Sequence, residues 1–240
     1  MKKFISLVLC LAMMLSFVTV FASAKDNTIT VNGKSYSASK AQKGTGWTWD
    51  KSGVLTLDGY KSGAIKFSTG ATVKVVFKGT NTIKSSNAGI QTNDKLEISG
   101  MGTLTINATG IGIEAKDLKL SSGTINVNST GAYAISVFDS PKDSFRSGLK
   151  VDGAKVTATA KTHEAVWVDG IIRVTDGKLA AKTSAKRPAI LAYAFTESHK
   201  DGTKVVWDDK DFGANDIKVS KGATITPTKL KFVTVAAAGG

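Results

Sequence analysis

Residues 96–106 read LEISGMGTLTI, two runs of alternating apolar residues joined by a glycine-containing turn. The pattern returns as LKLSSGTINV at 118–127, LKVDGAKV at 149–156 and IRVTDGKL at 172–179, and a looser copy, VVFKGTNTI, precedes them at 75–83. Alternation with a period of two is typical of β-strands, and a fixed repeat of roughly 20 to 50 residues is typical of solenoids. We therefore predict an all-β chain, a β-solenoid with coils of 21–24 residues.

Each coil is predicted to hold three short strands. The second strands are expected to start at Ile83, Leu104, Ile125, Val156 and Leu179, in steps of 21, 21, 31 and 23 residues. The 31-residue step contains an insertion at 138–147, and a second insertion is expected at 193–202. Both follow a third strand, so both are expected on one edge of the solenoid, where repeat folds commonly bind their partners.

The chain divides into four predicted segments. Residues 1–24 are read as a signal peptide, because Lys2 and Lys3 precede an apolar run and Ala22-Ser23-Ala24 forms a small-residue cleavage site. An N-terminal cap and first coil follow at 25–70, the β-helix body at 71–192, and an insertion loop with a C-terminal cap at 193–240. A secreted or cell-surface bacterial protein, monomeric and without a transmembrane segment in its mature chain, is expected.

The charge of the chain favours an acidic partner. The sequence carries 32 Lys+Arg against 19 Asp+Glu, for a formal net charge of +13. In an exported protein, this excess points to an anionic polysaccharide or cell-surface polymer. Nucleic acid matches the charge but not the compartment, and the sequence has no nucleic-acid motif. The two histidines lack Cys or His partners, which disfavours a zinc site.

Two polar features are predicted to be structural. Asn107 and Asn128 fall at the same offset in successive coils, so their side chains are expected to hydrogen-bond from coil to coil. Trp47 and Trp49 are expected to cover the open end of the solenoid, because a terminal coil exposes apolar interior and unpaired strand edges.

From residue 46 onward the chain resembles the exported bacterial β-helix proteins described as carbohydrate-binding domain-containing. The resemblance lies in GWTWD at 46–50, LTLDGY at 55–60, KGTNTI at 78–83 and ISGMGTLTI at 98–106. It implies a right-handed, single-stranded parallel β-helix of the pectate-lyase-like kind. It also implies non-catalytic polysaccharide binding, calcium-assisted in some relatives, with a cleft along the strand that follows the third-strand loops.

Aligned by coil, the outward residue of the first strand is Glu97, Lys119, Lys150 and then Arg173. Coils lie about 4.8 Å apart, so three cations would stack in a row, which is unfavourable unless something anionic faces them. We interpret Lys119, Lys150 and Arg173 either as a groove for an acidic glycan or as a solvated face. A second short column places Lys155 over Lys178.

The insertions supply the remaining candidates. The walls of the groove are expected to be Lys142, Arg146, Tyr193 and Trp207. The acidic residues Asp208, Asp209 and Asp211 are interpreted either as a calcium site or as a solvated turn. The orientation of Trp167 is left open, either outward or into the core.

Three function classes follow from these residues. Non-enzymatic binding of an acidic polysaccharide is favoured. A structural surface or adhesin module without glycan affinity is the first alternative. A pectate-lyase-like enzyme is the second: Arg173 or Arg146 would be its base, but no carboxylate cluster accompanies either one on the coil column.

Overall fold

A computed structural model describes residues 27–138, 148–185, 187, 189–197 and 232–236, all of which belong to strands or to the turns between them. Among these residues no helix is long and apolar enough to cross a membrane. The strands, in chain order, are β1 Thr28–Val31, β2 Lys34–Ser37, β3 Gln42–Gly44, β4 Trp47–Trp49, β5 Val54–Asp58, β6 Lys61–Ser62, β7 Ile65–Ser68, β8 Val73–Ser85, β9 Ile90–Thr92, β10 Lys95–Ala108, β11 Ile113–Ala115, β12 Asp117–Leu120, β13 Thr124–Ser129, β14 Ile135–Val137, β15 Gly148–Ala160, β16 Val166–Thr183, β17 Ile190–Glu197 and β18 Phe232–Ala236.

The coils stack as a parallel β-solenoid, which confirms the predicted all-β solenoid. Apolar residues of successive coils are in register along three ladders, so each coil buries its inward side chains against the next. The first-strand ladder is Val73, Leu96, Leu118, Leu149 and Ile172, and the third-strand ladder is Ile65, Ile90, Ile113, Ile135, Val166 and Ile190. All of these side chains are at most 1% exposed, and burying each one contributes about 1.5–3 kcal/mol to folding.

The second-strand ladder corrects one step of the predicted repeat. Leu104, Ile125, Val156 and Leu179 are in register as expected, but the partner of Leu104 in the preceding coil is Asn81, and Ile83 pairs with Ile106. The first step is thus 23 residues rather than 21, because a buried asparagine occupies an inward position that an apolar pattern does not reveal.

Asn81 is buried because the backbone satisfies its side chain. Its Oδ1 accepts a hydrogen bond from the backbone N of Tyr60 at 2.9 Å, and its Nδ2 donates to the carbonyl of Lys78 at 2.8 Å. A buried amide with both ends bonded avoids the cost of an unpaired polar group. Asn81 therefore fastens the corner between β5 and β6 to the following coil.

Antiparallel strands cover the N-terminal end of the solenoid. β1 pairs with β2 and β7, and β4 pairs with β3 and β5. Trp47 and Trp49 are 6% and 3% exposed, and the indole N–H of Trp49 donates to the carbonyl of Ala38 at 2.9 Å. The predicted packing role of these two tryptophans is confirmed. At the far end, β18 pairs antiparallel with β16.

Candidate functional site

The predicted stacking of outward first-strand residues is present. Glu97 pairs in register with Lys119, Lys119 with Lys150, and Lys150 with Arg173. We call Lys119, Lys150 and Arg173 the cationic column. The side chains of Lys119 and Lys150 are 38% and 42% exposed, so a ligand can reach their ammonium groups.

A carboxylate that the sequence did not single out lies beside this column. Asp152 Oδ2 is 3.1 Å from the Nζ of Lys150 and 3.7 Å from the Nζ of Lys119. It follows the first strand where the register between β15 and β16 shifts, which places it between the two lysines. Asp152 therefore supplies the chain's own anion to the stacked cations and relieves part of their repulsion.

The second predicted column is also in register. Lys155 pairs with Lys178, and Asp152 with Asp176. The two columns together carry five cations against the neighbouring Glu97, Asp152 and Asp176, a formal excess of positive charge. Such an excess attracts an anionic polymer, and salt weakens the attraction.

Other acidic residues near the column have structural roles. Asp94 Oδ2 accepts a hydrogen bond from the backbone N of Gly70 at 2.8 Å. Asp117 pairs with Lys95 at 3.2 Å, and its Oδ1 accepts from the backbone N of Gly148 at 3.2 Å. Across the described part of the chain, no three His, Cys, Asp or Glu residues cluster closely enough to hold a metal ion.

The predicted walls of the groove fall largely outside the described residues, since Lys142, Arg146 and Trp207 all lie there. The candidate calcium ligands Asp208, Asp209 and Asp211 also lie outside the described residues. Tyr193 is described only in its backbone, and the expectation that an insertion begins there is wrong. Residues 190–197 form the continuous strand β17, whose residues 194–197 pair with 171–174 of β16. The third strand runs directly into the next first strand here, with an irregularity between Val168 and Ile171 instead of a loop.

A different edge of the solenoid carries an open groove. It lies at the connection between the second and third strands of each coil, which we call the second corner. The groove has a volume of about 490 Å³, and its lining residues are Lys84, Ser85, Ser86, Asn107, Ala108, Thr109, Asn128 and Thr130. Within it the Nδ2 of Asn128 donates to the Oδ1 of Asn107 at 3.0 Å, which confirms the predicted asparagine ladder.

Next to the groove lies an aromatic cluster, formed by Tyr133 and His163 of the second corner and by Trp167 of the third strand. The rings of Tyr133 and Trp167 stack with centroids 5.7 Å apart and an interplanar angle of 26°, and His163 meets Tyr133 edge-on at 5.1 Å. All three side chains are partly exposed. The orientation of Trp167 is thereby settled: the indole lies on the outer surface, between the inward-facing Val166 and Val168.

A buried carboxylate adjoins the aromatic cluster. The side chain of Glu164 is only 4% exposed, and its Oε1 is 3.4 Å from the Nη1 of Arg187, whose side chain is 54% exposed. Its Oε2 is buried and has no hydrogen-bond partner among the described residues. Burial raises the pKa of the Tyr133 hydroxyl, and the negative charge of Glu164 raises it further, so the phenol is neutral at physiological pH.

The sequence singled out Trp167 alone, because Tyr133 and His163 lie in corners rather than in the alternating strands. One readable signal was present: Tyr133 and Glu164 each stand two residues before the start of a third strand, at 135 and 166. Polar or aromatic residues at one fixed offset in successive coils must lie side by side on the surface.

The family model described as "Carbohydrate-binding domain-containing protein" matches residues 12–226 of the chain. No curated protein and no solved structure matches this chain.

Proposed function

The chain belongs to the family of carbohydrate-binding domain-containing proteins, and from this premise we propose that it binds a polysaccharide outside the cell without cleaving it. The proposed ligand is an acidic glycan that lies along the cationic column. The observation that carries this choice is the register of Lys119, Lys150 and Arg173, which places a positive charge in each of three successive coils.

The spacing of the column suits an extended polyanion. Coils repeat about every 4.8 Å, which is comparable with the length of one sugar unit in an extended chain. A chain of uronate residues running along the solenoid axis therefore passes three cations at intervals close to the length of one unit. Charge-assisted hydrogen bonds from Lys and Arg to carboxylates are stronger than hydrogen bonds between neutral groups. Asp152 reduces the attraction without abolishing it, because one carboxylate faces two lysines.

The proposed setting and mode of action rest on different observations. The N-terminal charged and apolar segment with its small-residue cleavage site supports export. Four carboxylates near the column are engaged with backbone amides or lysines, which supports binding rather than elimination chemistry; they are Asp94, Glu97, Asp117 and Asp152. A calcium site at Asp208, Asp209 and Asp211 remains part of the proposal.

The test is retention of the purified protein on immobilised polygalacturonate, cellulose and xylan, at low and high salt, with calcium or with chelator. Retention on polygalacturonate that salt weakens is expected, without formation of an unsaturated product that absorbs in the ultraviolet. The triple variant Lys119→Glu/Lys150→Glu/Arg173→Glu is expected to abolish retention.

The matched control changes the same amount of charge elsewhere. Lys40, Lys43 and Lys51 are exposed residues near the N-terminal end of the solenoid, so Lys40→Glu/Lys43→Glu/Lys51→Glu alters the net charge equally and leaves the column intact. Equal loss in both triple variants would show that net charge alone retains the glycan. No retention on any glycan would favour a structural surface module, and an ultraviolet-absorbing product would favour a lyase.

A further inference from the structure

The second corner lengthens along the solenoid. The length of the second corner is measured between register-matched positions at the end of the second strand and the start of the third. These positions are five residues apart from Ser85 to Ile90 and from Ala108 to Ile113. They are six apart from Ser129 to Ile135 and from Ala160 to Val166, and seven apart from Thr183 to Ile190. The added residues widen the corner where the aromatic cluster and Arg187 occur.

The corner groove and the aromatic cluster form one strip. Thr130 lines the groove, and Tyr133 begins the aromatic cluster three residues further along the same corner. From the coil of Lys84 to the coil of Arg187 the strip crosses four coil spacings, about 19 Å. Its groove end offers hydroxyl and amide groups, and its other end offers two partly exposed aromatic rings, the combination that binds amphipathic rings.

Glu164 provides an independent indication of a ligand. A buried carboxylate oxygen without a partner is costly, and native proteins rarely leave one unpaired. Arg187 contacts only the other oxygen, at 3.4 Å, and its exposed, flexible arm can move aside. A hydroxyl or amide N–H of a ligand seated against Tyr133 and Trp167 would donate to Oε2 and remove the cost.

We propose that this strip is a second carbohydrate site: an uncharged pyranose chain stacks on Tyr133 and Trp167, and one of its hydroxyl or amide groups donates a hydrogen bond to Glu164. The ligand is uncharged because Glu164 and Arg187 cancel each other and because most of the groove is lined by Ser, Thr and Asn. The inference rests on the proposed carbohydrate function but assigns a different edge of the solenoid and a different sugar class.

The test titrates the full-length protein with cellohexaose, xylohexaose and chitohexaose, followed by calorimetry and by the indole N–H signal of Trp167 in a ¹⁵N spectrum. Binding of at least one hexasaccharide is expected, with a shift of that signal and with little dependence on salt. Trp167→Ala is expected to weaken binding about tenfold, as loss of an aromatic contact does. Glu164→Gln is expected to weaken it several-fold, because a carboxylate accepts more strongly than an amide.

Two controls separate this site from the cationic column. Lys119→Glu/Lys150→Glu/Arg173→Glu should leave hexasaccharide affinity unchanged, and Trp167→Ala should leave retention on polygalacturonate unchanged. Asn128→Ala in the groove is a second probe if Trp167→Ala fails to fold, as judged by its urea midpoint. The inference is overturned if none of the three hexasaccharides binds, or if one binds without shifting the Trp167 signal. If the unmodified protein binds a hexasaccharide but is not retained on polygalacturonate, the proposed acidic-glycan function is overturned and this site is not.

Discussion

Replacing Asp152 by Asn should increase affinity for an acidic glycan. Asp152 Oδ2 lies 3.1 Å from the Nζ of Lys150, and a ligand carboxylate on the opposite side of that ammonium would add about 2.8 Å. The two carboxylates would then be about 6 Å apart and repel each other by about 0.7 kcal/mol in water. Removing this repulsion raises affinity about threefold.

The salt dependence of the gain gives a second check on the same reasoning. At 0.1 M salt the Debye length is about 10 Å, which roughly halves the repulsion and reduces the gain to about twofold. At 1 M salt, where the Debye length is about 3 Å, the gain should vanish. The assay is the dissociation constant for polygalacturonate at about 0.01, 0.1 and 1 M salt, with urea unfolding to confirm that losing two exposed ion pairs costs little stability.

The matched control is Asp58→Asn, which removes the same charge about four coils, or about 19 Å, from Asp152. At that distance the repulsion is about 0.2 kcal/mol, and affinity should rise less than about 1.5-fold. An unchanged or weaker affinity of Asp152→Asn, or an equal gain in both variants, would refute the idea that Asp152 competes with the ligand for the lysines.

Three further predictions concern the scaffold, each measured by urea or thermal unfolding. Asn81→Ala should lower the free energy of unfolding by about 2–4 kcal/mol, since two buried backbone groups lose their partner, and the exposed Asn107→Ala by about 0.5 kcal/mol or less; equal losses would contradict this. Gly102→Ala should cost about 1–3 kcal/mol, because its φ of 147° and the carbonyl of Gly79 leave no room for a Cβ, and an unchanged melting temperature would contradict it. The hydrogen bond from the Ser52 hydroxyl lowers the pKa of Asp50 below its ordinary value of 3.8. The ionised Asp50 carboxylate therefore stabilises the fold above pH 3.8, and this contribution is lost as the pH falls through the pKa of the folded state. Asp50→Ala should therefore cost more stability at pH 7 than at about pH 2; a pH-independent cost would contradict it.

The ladders of the solenoid were predictable because apolar alternation sets register wherever one face of a strand is buried. Leu104, Ile125, Val156 and Leu179 stack as their spacing predicts. The burial of Asn81 was not predicted, because it depends on two backbone partners, the N–H of Tyr60 and the carbonyl of Lys78, which no local pattern encodes.

The cationic column was predictable for the same reason, and its counter-ion was not. Lys119, Lys150 and Arg173 occupy one offset from the buried ladder, so the register of the core fixes them. Asp152 lies past the end of that ladder, where the pairing of β15 with β16 becomes irregular. Its position between two lysines depends on that irregularity, which only the folded backbone specifies.

The number of residues between the second-strand and third-strand ladders determines how far each second corner projects from the solenoid. The buried ladders fix the position of each strand in the coil. The length of a corner is therefore the number of residues between the end of one strand and the start of the next. Additional residues cannot enter the packed interior and must widen the corner outward. Tyr133, His163, Glu164 and Arg187 all lie in corners of six or seven residues, and Trp167 is the second residue of the strand that follows. Corner length, counted after the register is known, therefore marks the part of the second corner that carries the aromatic cluster.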